Sequence, residues 1–381
     1  MVSHRCWTRF APVSARAFST AAARVVDSAI VPSVERLIGL LTGPYAAGAP
    51  ARVGLSQYPG GKAYYAWLVR WHTTLDVTPD SVHRVGLAEV ARIEREMSLA
   101  RRALGVTLGT RAFHEQLAHD PRFFAKTPEE FGARLMSYAT KLDPLLDRYF
   151  GMRPNAKGDV RRLPAALEPA MTFGYYQTPT PSDSMGHYFF NGTGLDQRTL
   201  LTAAPFIAHE LWPGHPFQLN FARENTAIPA YRRQRYFTAY SEGWGNYASS
   251  AAGELGLYAD PWDRYGNAAF DMFFACRLVV DTGMNYFGWS RERAMAYMHE
   301  HMIESATQIE TETLRYSTDI PGQSLAYKMG SLKFSRLRRQ AEVAMGKRFD
   351  VRGFHAQVLG SGGLTLGVLG EKLGRWERAS K

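Results

Sequence analysis

Cysteine is scarce in this sequence, which contains only Cys6 and Cys276 among its 381 residues. Two thiols so far apart in the chain exclude a disulfide framework and a metal site built from thiolates. Any metal ion must therefore be bound by histidine and carboxylate side chains. The low cysteine content also fits a reducing compartment, and we expect a cytoplasmic protein.

Long apolar runs are missing as well, since no stretch of about 18 apolar residues occurs, which argues against a membrane-spanning helix. The sequence also lacks a glycine-rich phosphate loop, a nucleophile elbow and a dinucleotide-binding fingerprint. Its 45 Lys and Arg residues exceed its 35 Asp and Glu residues, but the resulting net charge of +10 is dispersed along the chain. We therefore predict no nucleic-acid partner.

Acidic residues are absent from the first 26 residues, which contain several arginines and serines. This composition is similar to that of a mitochondrial transit peptide, and the alternative is an ordinary helical start. An apolar signal-peptide core is not present in this segment. We predict an uncertain N-terminal segment over residues 1–26 and a single helical domain over residues 27–381.

Helical periodicity dominates the rest of the chain, which is 45% hydrophobic and 13% aromatic. Thr78 and Pro79 form a good N-cap and N1 pair for a helix that follows them, and Asp350 is a cap for another. The fold class is therefore predicted to be mainly α. Further helices are expected over residues 127–149, 199–212, 230–257, 262–286, 290–303, 324–345 and 351–359.

The region of residues 170–194 is the exception, because it is rich in Gly, Pro, Thr and aromatic residues. Within it, residues 186–191 are predicted to form a short strand that ends at a Gly-Thr-Gly turn. This β segment lies immediately before the helix that carries the most informative motif.

That motif places His209 and Glu210 in an apolar helix, with a second histidine, His215, six positions after the first. In the zinc-peptidase pattern H-E-x-x-H the two histidines lie on one helical face and bind one Zn²⁺. A spacing of six instead turns the second side chain about 120° around an ideal helix. Joint ligation therefore requires a broken helix, and Pro213 with Gly214 is a sequence that favours such a break.

A third ligand is needed for a catalytic site of the two-histidine, one-carboxylate type. Glu242, on the next predicted long helix, is the best candidate, with a solvated or ion-paired acid as the alternative. Gly243 and Gly245 follow it. These glycines would permit the close helix approach that an interior metal site requires.

The string H-E-x-x-P-G-H-x-x-Q at residues 209–218, followed by Glu-Gly-Trp at 242–244, resembles the bacterial family DUF885. This family is similar to the gluzincin zinc peptidases, and its members usually have a longer N-terminal region than this chain. Further segments that resemble the family's recurring ones, in the same order, are residues 59–65, 72–74, 275–283 and 321–330.

The resemblance implies a gluzincin-like multi-helix fold, with one Zn²⁺ per chain bound by His209, His215 and Glu242. Glu210 would act as the general base that takes a proton from the metal-bound water. Tyr327 and Arg277, together with Arg315, are the candidate donors to the developing oxyanion. A core tyrosine and structural ion pairs are the alternative interpretation of these last three residues.

Substrate binding is predicted at two places. In gluzincin-like proteins an edge strand beside the metal helix pairs with the substrate backbone, which would assign His187 and Tyr188 to the cleft. A plain connecting strand fits the sequence equally well. Arg277, Arg315 or Lys328 could bind the carboxylate of a peptide C-terminus, which would make the protein a carboxypeptidase.

The function predicted from the sequence is a zinc-dependent peptidase that hydrolyses short peptides through a metal-activated water molecule. A metal-dependent amidase with a non-peptide substrate is one alternative. A catalytically silent helical binding protein, in which the motif remains without a working site, is the other. The sequence leaves the oligomeric state open.

Overall fold

The structure is a computed structural model that describes residues 12–171 and 174–379. The chain divides into two compact units, Met1–Arg52 and Val53–Lys381. No helix in the described ranges is both long and apolar enough to cross a membrane. The prediction of a mainly α fold is confirmed, whereas the prediction of a leader over residues 1–26 falls partly outside the described residues.

The first unit is helical. It contains α1 (Pro12–Val25), a π-helical turn (Val26–Ile30), α2 (Val31–Thr42) and the short α3 (Pro44–Ala47). The helical stretch continues through residue 26, the position at which the sequence suggested a boundary. Apolar side chains such as Leu37 and Ile38 on α2 are exposed.

The second unit contains most of the helices and all strands of the described chain. Its helices are α4 (Gly61–Thr73), α5 (Pro79–Ala103), α6 (Thr110–Leu117), α7 (Pro128–Leu142), α8 (Ala203–Glu210), α9 (His215–Glu224), α10 (Ala230–Arg233), α11 (Thr238–Glu254), α12 (Pro261–Asn285), α13 (Arg291–His301), α14 (Ala306–Leu314), α15 (Leu325–Met345), α16 (Val351–Leu359) and α17 (Leu366–Ala379). Its strands are β1 (Gly158–Arg162), β2 (Gly174–Gln177) and β3 (Gly186–Phe190).

Most predicted helices are present with nearly the predicted bounds. Thr78 caps α5 by accepting a hydrogen bond from the backbone N–H of Ser81, and Asp350 caps α16 through the N–H groups of Arg352 and Gly353. The helix predicted over residues 230–257 is interrupted between α10 and α11, where Phe237 takes an extended conformation. The predicted helix over residues 199–212 begins only at Ala203.

The strand predicted over residues 186–191 exists as β3, but the expectation that it is an edge strand is wrong. β3 lies in the centre of a three-stranded sheet with the order β1-β3-β2. It pairs in parallel with β1 and antiparallel with β2. Its backbone groups are therefore used on both sides, and it cannot add a substrate strand.

Two helix pairs form the framework of the second unit: α12 packs along α5, and α15 packs along α11. In the second pair the contact is made through glycine, because a β-carbon on Gly243 would lie 2.5 Å from the Cα of Gly330. A β-carbon on Gly330 would lie 2.2 Å from the carbonyl oxygen of Ala239. The backbones of α11 and α15 thus approach too closely for any side chain at these positions.

We expect Gly330→Ala to destabilise the protein by about 1–3 kcal/mol, because the added methyl group forces α11 and α15 apart. The measurement is the free energy of unfolding in urea. Gly367→Ala is the matched control, since Gly367 also lies in a helix and its β-carbon would meet no atom within 4 Å. The control should be neutral or more stable by ~0.5–1 kcal/mol. Equal effects of the two substitutions would contradict the close helix contact.

A second prediction concerns the stability of the protein at acidic pH, because burial favours the neutral form of two histidine side chains. His355 donates from Nδ1 to the carbonyl oxygen of Tyr149 at 2.7 Å, and its Nε2 accepts from the Tyr247 hydroxyl at 2.8 Å. Burial lowers the pKa of His355 to about 4, and burial does the same to His114. A lowered pKa in the folded state means that stability is fully present above the unfolded pKa, near 6.5, and is lost as the pH falls toward 4.

We therefore expect the free energy of unfolding to fall between pH 6.5 and pH 4, by roughly 3 kcal/mol for each of the two histidines. Denaturation curves at several pH values measure this loss. His355→Gln should flatten the pH dependence in this window, whereas His119→Gln, at an exposed position, should leave it unchanged. An unaltered slope in His355→Gln would show that this side chain is not the group that titrates.

Candidate metal centre and its cleft

The predicted break between the two histidines is present. α8 ends at Glu210, and α9 begins at His215 after a turn that contains a cis Trp212–Pro213 peptide bond. A β-carbon at position 214 would lie 1.7 Å from the carbonyl oxygen of His209. Only glycine can therefore occupy this position, because the chain folds back directly onto the end of α8.

α11 holds this turn in place from behind. The indole N–H of Trp244, a fully buried side chain, donates to the carbonyl oxygens of Pro213 and Gly214 at 3.0 and 3.1 Å. One residue further on, a β-carbon on Gly245 would lie 2.7 Å from the imidazole ring of His209. The glycines that follow Glu242 thus permit two different close contacts, one with α15 and one with the ring of His209.

Three potential ligands converge at this place. Nε2 of His209 lies 3.5 Å from Oε2 of Glu242, and Nε2 of His215 lies 3.4 Å from the same oxygen. One ligand atom from each of the three residues lies within 4.8 Å of the other two. Zinc bonds of about 2.0–2.1 Å at tetrahedral angles separate neighbouring donor atoms by roughly 3.4 Å. The distances from Oε2 of Glu242 to the two imidazole nitrogens therefore match those between neighbouring donors of a tetrahedral metal ion.

The ionisation of Glu242 and that of His215 are coupled, because each charge favours the charged form of the other group. Burial alone would raise the pKa of Glu242, but the imidazoles of His215 and His209 hold it well below its usual range. Burial opposes protonation of His215, yet the charge of Glu242 raises the pKa of His215 to about 8. A bound metal ion would replace the proton of His215, since a ligating imidazole must be neutral.

Tyr236 is a contact of this centre that the sequence did not predict. Its hydroxyl donates to Oε1 of Glu242 at 2.5 Å, which leaves Oε2 to face the two histidines. Tyr236 lies in the segment that interrupts the predicted 230–257 helix. Its role depends on the path of that irregular segment, so no periodic pattern in the sequence could have revealed it.

The outer nitrogens of the two imidazoles have unusual surroundings. In the described part of the chain, Nδ1 of His209 and Nδ1 of His215 are buried and have no hydrogen-bond partner. Histidine ligands usually donate this N–H to a carboxylate or a carbonyl group, which fixes the ring. The ring of His209 is positioned by packing, with Gly245 on one side and the stacked rings of Phe274 and Tyr327 nearby.

Glu210 and the three predicted oxyanion or substrate residues line one cleft. This cleft has a volume of about 670 Å³, and its walls include His209, Glu210, Arg277, Arg315 and Tyr327. Burial raises the pKa of Glu210, an effect that increases its basicity. The ring of Tyr327 stacks on that of His209, with 6.2 Å between the ring centroids.

Arg277 is held rigidly at the cleft wall. It donates from Nε to the Tyr316 hydroxyl at 2.6 Å and from Nη2 to Glu312 at 3.0 Å. Its Nη1 atom, however, is buried without a hydrogen-bond partner among the described residues. Arg315 donates to the same Glu312 and to Gln323, each at 3.2 Å. Arg277 therefore forms a structural ion pair with Glu312 and also has one nitrogen that is available to donate to a ligand.

Lys328, which was predicted to bind substrate, does not reach the cleft. Its Nζ is buried between Asp271, at 2.6 Å, and Glu89, at 2.9 Å. This lysine thus neutralises two carboxylates between α5, α12 and α15, because a buried ammonium group requires such partners. We correct its assignment from a substrate ligand to a structural ion pair.

Neither His187 nor Tyr188 lies along the metal cleft itself, where both were predicted. His187 is buried and its two ring nitrogens bind Asp159 and Asp183, so it fixes the sheet and does not line the cleft. Tyr188, the next residue of β3, is buried and lines a second pocket beside the cleft. The prediction fails for His187 because alternate residues of a strand point to opposite faces.

Glu304 is a cleft residue that the sequence did not indicate. It lies in the loop between α13 and α14 and lines both the cleft and the second pocket. Burial raises the pKa of its carboxyl group to about 7. Nothing in the motif around residues 209–218 points to this loop, because the two segments meet only through the tertiary fold.

Comparisons with known proteins agree with the resemblance noted from the motifs. The sequence matches the family described as "Bacterial protein of unknown function (DUF885)" over residues 5–373. No curated protein matches it.

Solved structures share the fold, and two of them are described as lipoproteins. A "putative lipoprotein from Colwellia psychrerythraea" is 29% identical, with a TM-score of 0.90, and the match covers 97% of this chain and 64% of that one. A "putative lipoprotein of unknown function from Shewanella oneidensis" is 18% identical, with a TM-score of 0.72 and coverage of 97% and 69%. The chain thus spans less than two thirds of the length of the Colwellia protein. Because the match to the family covers residues 5–373, the chain belongs to the bacterial family DUF885.

Proposed function

We propose that this protein is a zinc-dependent hydrolase of peptide bonds. The observation that supports the proposal most directly is the convergence of His209, His215 and Glu242, whose ligand atoms lie within 4.8 Å of one another. These residues would hold one Zn²⁺ per chain. The adjacent Glu210 and an open cleft of about 670 Å³ supply a base and room for a substrate at the same place.

A bound Zn²⁺ would supply Lewis acidity and a water molecule whose pKa is lowered toward about 7. Glu210, with a pKa raised by burial, would accept the proton of that water and transfer it to the leaving amine. Tyr327, which stacks on His209, and Arg277, with an unpaired Nη1, would donate to the oxyanion. Arg315 would remain available on the cleft wall to orient a carbonyl or carboxylate group of the substrate.

The alternatives from the sequence remain as competing proposals. An amidase with a non-peptide substrate would use the same residues, and a silent binding protein would use none of them catalytically. The cytoplasmic location also stays a prediction, since the two related structures are described as lipoproteins and that description concerns those proteins.

We expect the purified protein, after incubation with Zn²⁺ and removal of the excess, to retain about one zinc ion per chain in mass-spectrometric metal analysis. His215→Ala should lose most of this metal, because it removes one of three buried ligands. His299→Ala, at an exposed position on α13, is the matched control and should retain zinc. A folded wild-type protein that binds no zinc would contradict the proposal.

Glu210→Gln should retain zinc and reduce hydrolysis by about 10²–10⁴-fold, because the substitution removes the base but none of the ligands. The assay is cleavage of a mixed peptide library followed by mass spectrometry. Glu371→Gln, on the exposed face of α17, is the control for loss of a carboxylate elsewhere. Unchanged cleavage in Glu210→Gln would exclude this residue as the base, and zinc binding without cleavage of any peptide would favour the alternatives.

A further inference from the structure

A second cavity adjoins the metal cleft. It has a volume of about 170 Å³, and three residues, Thr202, Phe206 and Glu304, line both spaces. We call this cavity the side pocket. Its remaining walls come mainly from α6, α7, β3 and the segment that leads into α8.

The side pocket is mostly apolar and has the size of one aromatic ring. Phe131 and Leu135 of α7, Phe190 of β3 and Ile303 contribute to its walls. A cavity of ~150 Å³ with leucine, isoleucine and phenylalanine walls is large enough to bind benzene. A phenyl or branched aliphatic group therefore fits the side pocket in both size and polarity.

The position of the side pocket along α8 relates it to the metal centre. Phe206 precedes Glu210 by four residues on this helix, a rise of about 6 Å along the axis. A substrate whose scissile carbonyl lies at Glu210 and the metal ligands would thus place a neighbouring side chain at Phe206. This distance matches the reach of a side chain on the residue next to the scissile bond.

Glu304 adds a polar group at the junction of the two spaces. Its Oε2 atom is buried and has no hydrogen-bond partner in the part of the chain that the structure describes. No protein donor among the described residues occupies this acceptor, so it is available to a ligand in the cleft. A free amino group and a peptide N–H of a substrate are both suitable donors.

We propose that the side pocket binds the bulky apolar side chain of the residue next to the scissile bond, and that Glu304 accepts a hydrogen bond from an N–H of the same residue. This inference rests on the proposed hydrolase function. It names the substrate class as peptides or amides with a phenyl-sized apolar residue at the site of cleavage.

Binding is measured by calorimetry with three small probes on the zinc-loaded Glu210→Gln protein, which cannot turn them over: glycinamide, L-phenylalaninamide and N-acetyl-L-phenylalaninamide. Of the two phenylalanine probes, we expect the one with the higher affinity to bind at least tenfold more tightly than glycinamide, because its ring becomes buried in the side pocket. Equal affinity for the phenylalanine probes and glycinamide would overturn the proposal.

A change in the size of the side pocket should shift this preference. Phe131→Ala, made in the Glu210→Gln background, enlarges the cavity and should favour naphthylalaninamide over phenylalaninamide by at least fivefold relative to the parent. Phe349→Ala is the matched control, since Phe349 packs against the same core but does not line the side pocket. The same shift in both variants, or none in Phe131→Ala, would contradict the assignment of the ring to this cavity.

Glu304→Gln tests the polar contact and its source. A selective loss of affinity for the free-amine probe would identify the substrate's ammonium group as the donor. A loss for the acetylated probe as well would identify the amide N–H. Unchanged affinity for both would overturn the role of Glu304.

The two proposals can fail separately. Selective binding of the phenylalanine probes without peptide hydrolysis by the wild-type protein would support the side pocket and contradict the hydrolase function. Hydrolysis without preference for a bulky apolar residue would do the reverse.

Discussion

The close approach between Gly214 and the end of α8 is the constraint on which the candidate centre depends. A straight helix would turn His215 about 120° away from His209. The chain instead folds back so tightly that a β-carbon at position 214 would overlap the carbonyl oxygen of His209. The absence of a side chain at this one position therefore allows two histidines six residues apart to face the same carboxylate.

The packing of α11 against α15 determines where the carboxylate of Glu242 lies relative to the two histidines. Glu242 lies on α11, and α11 reaches its position because Gly243 and Gly330 let it touch α15 backbone to backbone. Trp244, on the same helix, binds the carbonyl groups of the turn. The segment of residues 242–245 thus combines a candidate ligand, a contact with α15, a support for the turn and a surface for the ring of His209.

The sequence could predict those parts of the fold and the site that depend on local pattern. Helices with caps, such as the one after Thr78, follow from hydrogen bonds between neighbouring residues. The break at Pro213 and Gly214 follows from backbone chemistry that acts within one turn. The convergence of Glu242 with the histidines was inferred from motif resemblance, and the helix packing described above gives its physical reason.

The sequence could not predict features that depend on the partners of a residue in space. Lys328 lies in a segment that resembles the family's own, but its charge is neutralised by Asp271 and Glu89, which come from two other helices. The central position of β3 depends on β1, a short strand that contains two arginines and has no clear hydrophobic alternation. Tyr236 and Glu304 lie in irregular segments, where neither periodicity nor capping restricts the direction of a side chain.

Helix α8 contributes residues both to the candidate metal centre and to the side pocket. This arrangement determines where substitutions could change substrate specificity. The C-terminal end of α8 carries His209 and Glu210, and its preceding turn carries Phe206, which belongs to both the cleft and the side pocket. The other walls of the side pocket come mainly from α6, α7, β3, the segment before α8 and the loop with Glu304, which contribute no candidate metal ligand. Substitutions in those walls can alter the size and polarity of the side pocket while the turn at Gly214 and the helix pair α11 and α15 keep the candidate ligands in place. The part of the site that holds the candidate ligands and the part that could vary are therefore built from different segments, and they meet at Phe206 and Glu304.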